Sequence, residues 1–141
     1  MKTTGISSLD HAPQVMAEWL NLLEDDLGWH DKPHTYMLLR ETLHALRDFL
    51  SVDEAADLSA QLPILVRGIY FEGWNPSSTP AYPRNKEAFM ARIAAPFKGN
   101  PPENMDAAVG AVFDLLRRKV SAGEIDQITQ ALRKPLRDLW H

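Results

Sequence analysis

Residues 50–74 read LSVDEAADLSAQLPILVRGIYFEGW, and much of this pattern returns at residues 120–141 as VSAGEIDQITQALRKPLRDLWH. Ser51 is followed three residues later by Glu54, and Ser121 is followed by Glu124 at the same spacing. A serine and a glutamate at this spacing predict a capping box, in which each side chain accepts a hydrogen bond from a backbone N–H group at the start of a helix. The sequence therefore predicts two helices with equivalent first turns.

Apolar residues also match at this offset of seventy positions, both behind the capping boxes and in the segments before them. They recur every three or four residues, which is the spacing of one face of an α-helix. The matched pairs include Leu39 with Val109, Leu43 with Phe113, Leu46 with Leu116, Leu58 with Ile128, Leu62 with Leu132 and Val66 with Leu136. We therefore expect an all-α fold of about eight helices, arranged as two tandem four-helix repeats packed into one bundle-like domain. Chance matches between amphipathic helices are the alternative.

The expected helices are separated by residues that start or end helices. Pro13 fits the first turn of one helix and Gly28 fits its end. Pro63 marks a break between two short helices, because proline disfavours helical geometry in the residue before it. The expected organisation is a flexible leader over residues 1–12, helical repeat 1 over 13–74, a Pro/Ser-rich linker over 75–84 and helical repeat 2 over 85–141. These segments are expected to form one compact domain.

The composition is that of an ordinary folded protein. The chain has 141 residues and a formal net charge of −4. It contains no cysteine, which excludes disulfides and thiol catalysis. No apolar run resembles a signal sequence or a membrane span, so we expect a soluble cytoplasmic protein. Residues 1–71 carry 5 Lys and Arg against 11 Asp and Glu, whereas residues 72–141 carry 10 against 8. This asymmetry favours packing of the repeats on each other or head-to-tail docking of a second copy, and unequal drift of solvated faces is the alternative.

Two groups of polar side chains are candidates for metal or acid–base chemistry. His30, Asp31, His34 and His44 form the chain's transition-metal set, but Pro33 places the first three in a loop and cap rather than on one helix face. The second group is the acidic run Glu24, Asp25 and Asp26. Neighbouring helix residues project in different directions, which favours a solvated face for this run. We therefore expect no metal ion, no cofactor and no catalytic residues.

Three features occur together in a recognisable combination that covers nearly the whole chain. The capped repeat has a Leu-Pro break, its last helix ends in the motif FEGWNPSSTP, and the second copy begins with a Phe-containing helix. The residues that carry the combination are Leu62, Pro63, Gly73, Trp74, Pro76 and Phe89. Together they resemble the prokaryotic family called domain of unknown function 2267. The resemblance implies an all-helical, duplicated domain and no catalytic residues, because the family has none assigned. The second copy departs from the pattern, since Arg133 follows Leu132 where the first copy has the Leu-Pro break.

The sequence favours a non-enzymatic helical interaction module that associates with itself or with another protein. Aromatic residues stand at predicted helix termini and in the linker, where exposed rings would anchor an interface. They are Trp29, Trp74, Tyr82 and Trp140. The alternative for Trp74 is that its ring fills the seam between the two repeats.

A small-ligand-binding protein is the second hypothesis, with its site at the seam between the repeats near Trp74, Asn75, Tyr82 and Arg84. Nucleic-acid binding is disfavoured, because the basic set lacks interleaved aromatic residues and the chain is acidic overall. That set is Arg117, Arg118, Lys119, Arg133, Lys134 and Arg137. Enzyme activity has the least support, because the sequence contains no phosphate-binding glycine loop and no nucleophile elbow.

Overall fold

Helices account for all of the regular structure in residues 3–140, which are the residues that the computed structural model describes. Nine α-helices and two short 3-10 helices alternate with turns, and no strand occurs in this range. The α-helices are α1 (Ser7–Asp10), α2 (Ala12–Leu27), α3 (Lys32–Phe49), α4 (Val52–Ser59), α5 (Ile64–Phe71), α6 (Lys86–Ala94), α7 (Met105–Lys119), α8 (Ala122–Ala131) and α9 (Lys134–Arg137). The 3-10 helices are Pro76–Ser78 and Ala95–Phe97. The all-α prediction is therefore confirmed.

A tight turn joins α2 to α3. Gly28 ends α2 in the left-handed conformation, with φ of 69°, and its N–H donates to the Glu24 carbonyl. Glycine adopts this conformation without the penalty that a Cβ atom imposes. Asp31 then caps α3, because its side chain accepts a hydrogen bond from the His34 N–H, and Pro33 lies in the first turn. These features match the helix boundaries that the sequence predicted.

The core is built around α3, which packs against α2, α5, α6 and α7. Apolar side chains of α3 are fully buried along most of its length, and they belong to one hydrophobic cluster that includes residues from both halves of the chain. Phe49 of α3 meets Phe89 of α6 edge-on, with 5.1 Å between ring centroids. Phe113 of α7 stacks on Trp140 with 4.1 Å between centroids. One continuous core therefore spans both halves.

The predicted break at Leu62 and Pro63 separates α4 from α5, and a second break separates α8 from α9 at Leu132 and Arg133. Pro63 has φ and ψ of −58° and 157°, and Arg133 has −68° and 153°. Leu62 and Leu132 are both buried in the core. At the second break Arg133 adopts the extended geometry that Pro63 has at the first, and the proline, Pro135, lies in the first turn of α9 instead.

Both predicted capping serines accept a hydrogen bond at a helix start, but the two glutamates differ. Ser51 Oγ accepts from the Glu54 N–H at 3.2 Å, and Glu54 Oε1 accepts from the Ser51 N–H at 2.9 Å. Ser121 Oγ accepts from the Glu124 N–H at 3.3 Å, whereas the Ser121 N–H donates to Gln61 Oε1 at 2.8 Å. The expectation that Glu124 caps α8 is corrected, because Gln61, in the turn after α4, accepts the hydrogen bond from the Ser121 N–H that Glu124 was expected to accept.

The first residues include α1, although the sequence indicated a leader over residues 1–12. Thr4 donates hydrogen bonds to Asp10 Oδ1 from its N–H at 2.8 Å and from its hydroxyl at 2.9 Å. Residues 1, 2 and 141, which belong to the predicted leader and the predicted second repeat, lie outside the described residues. Within residues 3–140, no helix has both the length and the apolar character that crossing a bilayer requires.

Candidate functional site

Tyr82 is the most exposed large apolar side chain of the described residues, with 76% of its surface accessible. Its neighbours are held in place. The Ala81 N–H donates to the Asp48 carbonyl at 2.7 Å, and Arg84 Nη2 donates to the carbonyls of Phe49 at 3.0 Å and Ala131 at 3.1 Å. The predicted linker is therefore tied to the ends of α3 and α8, and it carries an exposed ring.

Arg84 has a structural use at this junction. The last carbonyls of a helix lack partners within the helix, and a guanidinium group can donate to two of them at once. Arg84 does so for α3 through Phe49 and for α8 through Ala131. Arg84 Nη2 is thus engaged within the chain, and this candidate ligand-binding residue also joins the two halves.

Trp140 is buried, with 8% of its surface exposed, and it stacks on Phe113 at an interplanar angle of 10°. Trp74 is half-buried and packs at 5.2 Å on Phe71, with its indole Nε1 buried without a hydrogen-bond partner among the described residues. Asn75 caps the following 3-10 helix by accepting from the Ser77 N–H at 3.2 Å and from its hydroxyl at 2.7 Å. Of the four aromatic candidates, Tyr82 alone is largely exposed.

Helix α5 presents an apolar face that sequence reasoning did not single out. We call it the α5 face and define it by Ile64, Leu65 and Gly68. Ile64 is 52% exposed and Leu65 is 41% exposed, while Val66 and Tyr70 on the opposite side are buried. A Cβ atom added at Gly68 would meet nothing within 4 Å. The usable signal was the segment ILVRGIYF, which holds more apolar residues than one buried face of an eight-residue helix accommodates.

A cleft lies between the α2–α3 turn and the segment that leads into α7. Its volume is about 630 Å³, and we call it the Trp29 cleft. The lining residues are Asp26, Leu27, Trp29, His30, Asp31, His34, Asn100, Pro101, Pro102, Glu103, Asn104, Ala107 and Ala108. Of the six residues predicted for a ligand or interface site, Trp29 lines this cleft. The sequence could not predict it, because its walls come from turns seventy residues apart.

Three of the four residues considered as a transition-metal set have other contacts. His44 Nε2 lies 2.7 Å from the Ile69 carbonyl, and burial lowers the pKa of His44, so the neutral ring donates its N–H to this oxygen. Asp31 caps α3, and His34 packs edge-on between Trp29 and Phe97. Within residues 3–140, no three His, Cys, Asp or Glu side chains are grouped to hold a metal ion.

Glu124 is an unusual acidic group, because it is buried where α4 packs against α8. Burial raises the pKa of its carboxyl group above the ordinary value, and the negative charges of Asp57 and Glu54 raise this pKa further.

The basic residues considered for nucleic acid include Lys119, which forms an ion pair with Glu18 at 2.7 Å. Arg118 pairs with Asp26 in the same way.

The described residues place this chain among small all-α proteins, with α3 at the centre, an exposed apolar face on α5 and an aromatic-lined cleft. A sequence model of the family described as "Uncharacterized conserved protein (DUF2267)" matches residues 16–139. The chain belongs to this family, and the resemblance found in its motifs is confirmed. No curated protein matches the chain. The family description names no activity, so function has to be inferred from the geometry.

Proposed function

We propose that this protein is a non-enzymatic helical interaction module that self-associates through the α5 face. The observation that carries the proposal is the pair of adjacent exposed side chains Ile64 and Leu65, at 52% and 41% exposure. Exposed apolar groups that adjoin each other on a helix are typical of docking surfaces, because their burial gains about 25 cal/mol per Å². An amphipathic helix face is a common way to present such a surface.

Gly68 gives the proposal a second support. Glycine inside a helix destabilises it by about 1 kcal/mol relative to alanine, and the space above Gly68 is open, so packing within the chain does not require it. A surface without a side chain at this position allows the backbone of another molecule to approach closely. Glycine at the α5 face therefore suits a surface that a partner covers.

We take the occupant to be a second copy of this chain, on grounds of charge. Residues 1–71, which include α5, have 5 positive and 11 negative side chains, whereas residues 72–141 have 10 positive and 8 negative. Ion pairs within the chain already use part of this asymmetry, as in Glu18 with Lys119 and Asp26 with Arg118. We assign charges that remain to a head-to-tail contact between copies. Opposite charges across an interface speed association and select the partner, and this effect weakens as salt is added.

Sedimentation equilibrium over a range of concentrations tests the proposal. We expect the wild-type protein to exceed the monomer mass of 15.9 kDa as concentration rises, and the double variant Ile64→Gln, Leu65→Gln to remain monomeric. Val52→Gln is the matched control, because Val52 on α4 is also exposed, at 40%, but lies outside the α5 face. A wild-type mass that stays monomeric at all concentrations, or equal association of the double variant, contradicts the proposal.

The variant Gly68→Ala tests whether a second copy of the chain covers the α5 face. We expect it to stabilise the monomer by about 1 kcal/mol in urea unfolding, because alanine is the better helix former and the methyl group has room. In the same variant we expect weaker association, because the methyl group holds the partner away. Stabilisation with unchanged association would contradict the close approach at Gly68.

The proposal includes two tandem repeats within the module. Ser51 and Ser121 accept hydrogen bonds at the starts of α4 and α8, the breaks after Leu62 and Leu132 share one geometry, and α4 packs against α8. These correspondences support a duplicated unit. The second candidate function, a small-ligand site at the seam, has less support from geometry, because Arg84 already donates to two helix-end carbonyls there.

A further inference from the structure

We infer that the Trp29 cleft binds a small organic ammonium ion, such as a linear polyamine, independently of self-association. The cleft volume of about 630 Å³ lies within the range of small-molecule sites, which run from roughly 300 to 1,000 Å³. Its walls combine an indole ring with carboxylate groups. This combination matches a cation that also carries apolar groups.

The aromatic wall is held in a fixed orientation. The ring centroids of Trp29 and His34 are 5.1 Å apart at an interplanar angle of 61°. His34 in turn lies 4.9 Å from Phe97 at 63°. Trp29 and His34 both line the cleft, His34 also packs on Phe97, and Trp29 is half-buried. Indole is the aromatic group that attracts ammonium ions most strongly.

The charges of the lining select a cation. Asp26, Asp31 and Glu103 contribute carboxylate groups, and no Lys or Arg of residues 3–140 lines the cleft. Asp26 is compensated by its ion pair with Arg118. Asp31 and Glu103 have no ion-pair partner in the described part of the chain. Glu103 is therefore left for a bound cation, and Asp31 offers the carboxylate oxygen that does not cap α3.

The two helix starts at the cleft do not offer a competing anion site. The N-termini of helices attract anions through their free N–H groups. Here the Asp31 side chain accepts from the His34 N–H at 3.1 Å, and the Asn104 side chain accepts from the Ala107 N–H at 3.0 Å. Each capping side chain occupies a donor that an anion would need. An anion would also meet the carboxylates of Asp31 and Glu103.

Nuclear magnetic resonance titration with spermidine tests the inference, with the indole N–H signal of Trp29 as the reporter. Loss of one signal in Trp29→Phe identifies the reporter among the tryptophans. We expect this signal to shift saturably in the wild-type protein, and not with sodium chloride at equal ionic strength. No shift up to about 10 mM spermidine overturns the inference, because a site weaker than that carries little free energy.

Asp31→Asn with Glu103→Gln removes both charges while keeping the fold, since asparagine caps helices as well as aspartate does. We expect spermidine affinity to fall at least about tenfold in this double variant, a change equal to 1.4 kcal/mol. Glu87→Gln is the control, because Glu87 is an exposed acid that does not line the cleft. Equal affinity of the double variant and the wild type overturns the inference. The Ile64→Gln, Leu65→Gln variant should bind spermidine normally, which separates this site from the α5 face.

Discussion

Arg47 and Arg117 occupy matching positions near the ends of α3 and α7, seventy residues apart, yet their surroundings differ. Arg47 is buried, at 4% exposure, and its Nη1 donates to the carbonyls of Tyr70 at 2.9 Å and Glu72 at 2.8 Å. Arg117 is exposed, and within residues 3–140 its side chain makes no hydrogen bond to the protein. The reason is that α5 ends beside α3, whereas α9 has only four residues. Matching sequence therefore does not ensure a matching polar role.

The apolar residues behave in the opposite way. Leu46 and Leu116 are both fully buried, and Leu62 and Leu132 are both in the core. Burial of an apolar side chain needs only that its helix face points inward, and many neighbours satisfy it. A buried polar group needs partners at particular distances and angles. The comparison shows that buried apolar positions correspond in the two halves, whereas the hydrogen-bond partners of the matching polar residues differ.

The largest expected difference between the halves is therefore at the two arginines. Arg47→Ala leaves the Tyr70 and Glu72 carbonyls without their donor and removes the ion pair with Asp48. We expect a loss of about 3 kcal/mol in the free energy of unfolding, because removal of a buried charged donor leaves its buried acceptors without a hydrogen bond. Arg117→Ala should change it by less than about 0.5 kcal/mol, as is usual at exposed sites. Urea unfolding measures both, and equal losses would contradict the difference in roles.

The capping serines should show a smaller effect of similar size in both halves. Removal of a capping hydroxyl destabilises a helix by about 1 kcal/mol. We expect this loss for Ser51→Ala and for Ser121→Ala, because each Oγ accepts from the N–H three residues ahead. Ser121 Oγ also accepts from Gln61 Nε2 at 3.0 Å, so Ser121→Ala should be the more costly of the two.

Thermal or urea unfolding of the two serine variants checks this order. Ser77→Ala is the control for serine replacement, because Ser77 is exposed and its hydroxyl bonds only within its own short turn. If Ser51→Ala leaves the free energy of unfolding unchanged, the capping box does not stabilise α4.

The sequence was sufficient for the helices because their signals are local. Apolar spacing, capping serines, Gly28 and Pro63 each act within a few residues, and they indicated the end of α2, the starts of α4 and α8 and the break between α4 and α5. The family was recognisable for a similar reason, since most of the residues that carry the resemblance, from Leu62 to Pro76, lie within fifteen positions of one another. Helix α1 was not predicted, because its four residues lack an apolar period.

The candidate sites were less accessible to sequence reasoning. The Trp29 cleft joins two turns that are distant in the chain, and the exposure of Ile64 and Leu65 depends on which face of α5 packs on α3. Trp140 was treated as a terminal aromatic, but the fold places it on Phe113. Such facts depend on tertiary contacts, which no local pattern specifies.

The smallest expected effect concerns the second member of each capping pair. Glu54 accepts a hydrogen bond from the Ser51 N–H, whereas Glu124 is buried near Asp57 and Glu54 and its pKa is raised. A raised pKa means that the folded protein binds more protons than the unfolded chain above the ordinary value of 4.5. The stability supplied by protonated Glu124 is therefore complete below that value, and it is lost as pH rises through the folded pKa.

Glu124→Gln should remove this dependence. At pH 7 we expect the variant to be more stable than the wild type by on the order of 0.5 kcal/mol, because it removes a buried negative charge that also lies near the charges of Asp57 and Glu54. Near pH 4 the advantage should disappear, since Glu124 is then protonated in both states. Asp126→Asn, an exposed acid on the same helix, controls for a change of net charge. A pH-independent difference in urea unfolding would mean that Glu124 acts through packing, and the contrast with Glu54 would then be one of shape rather than charge.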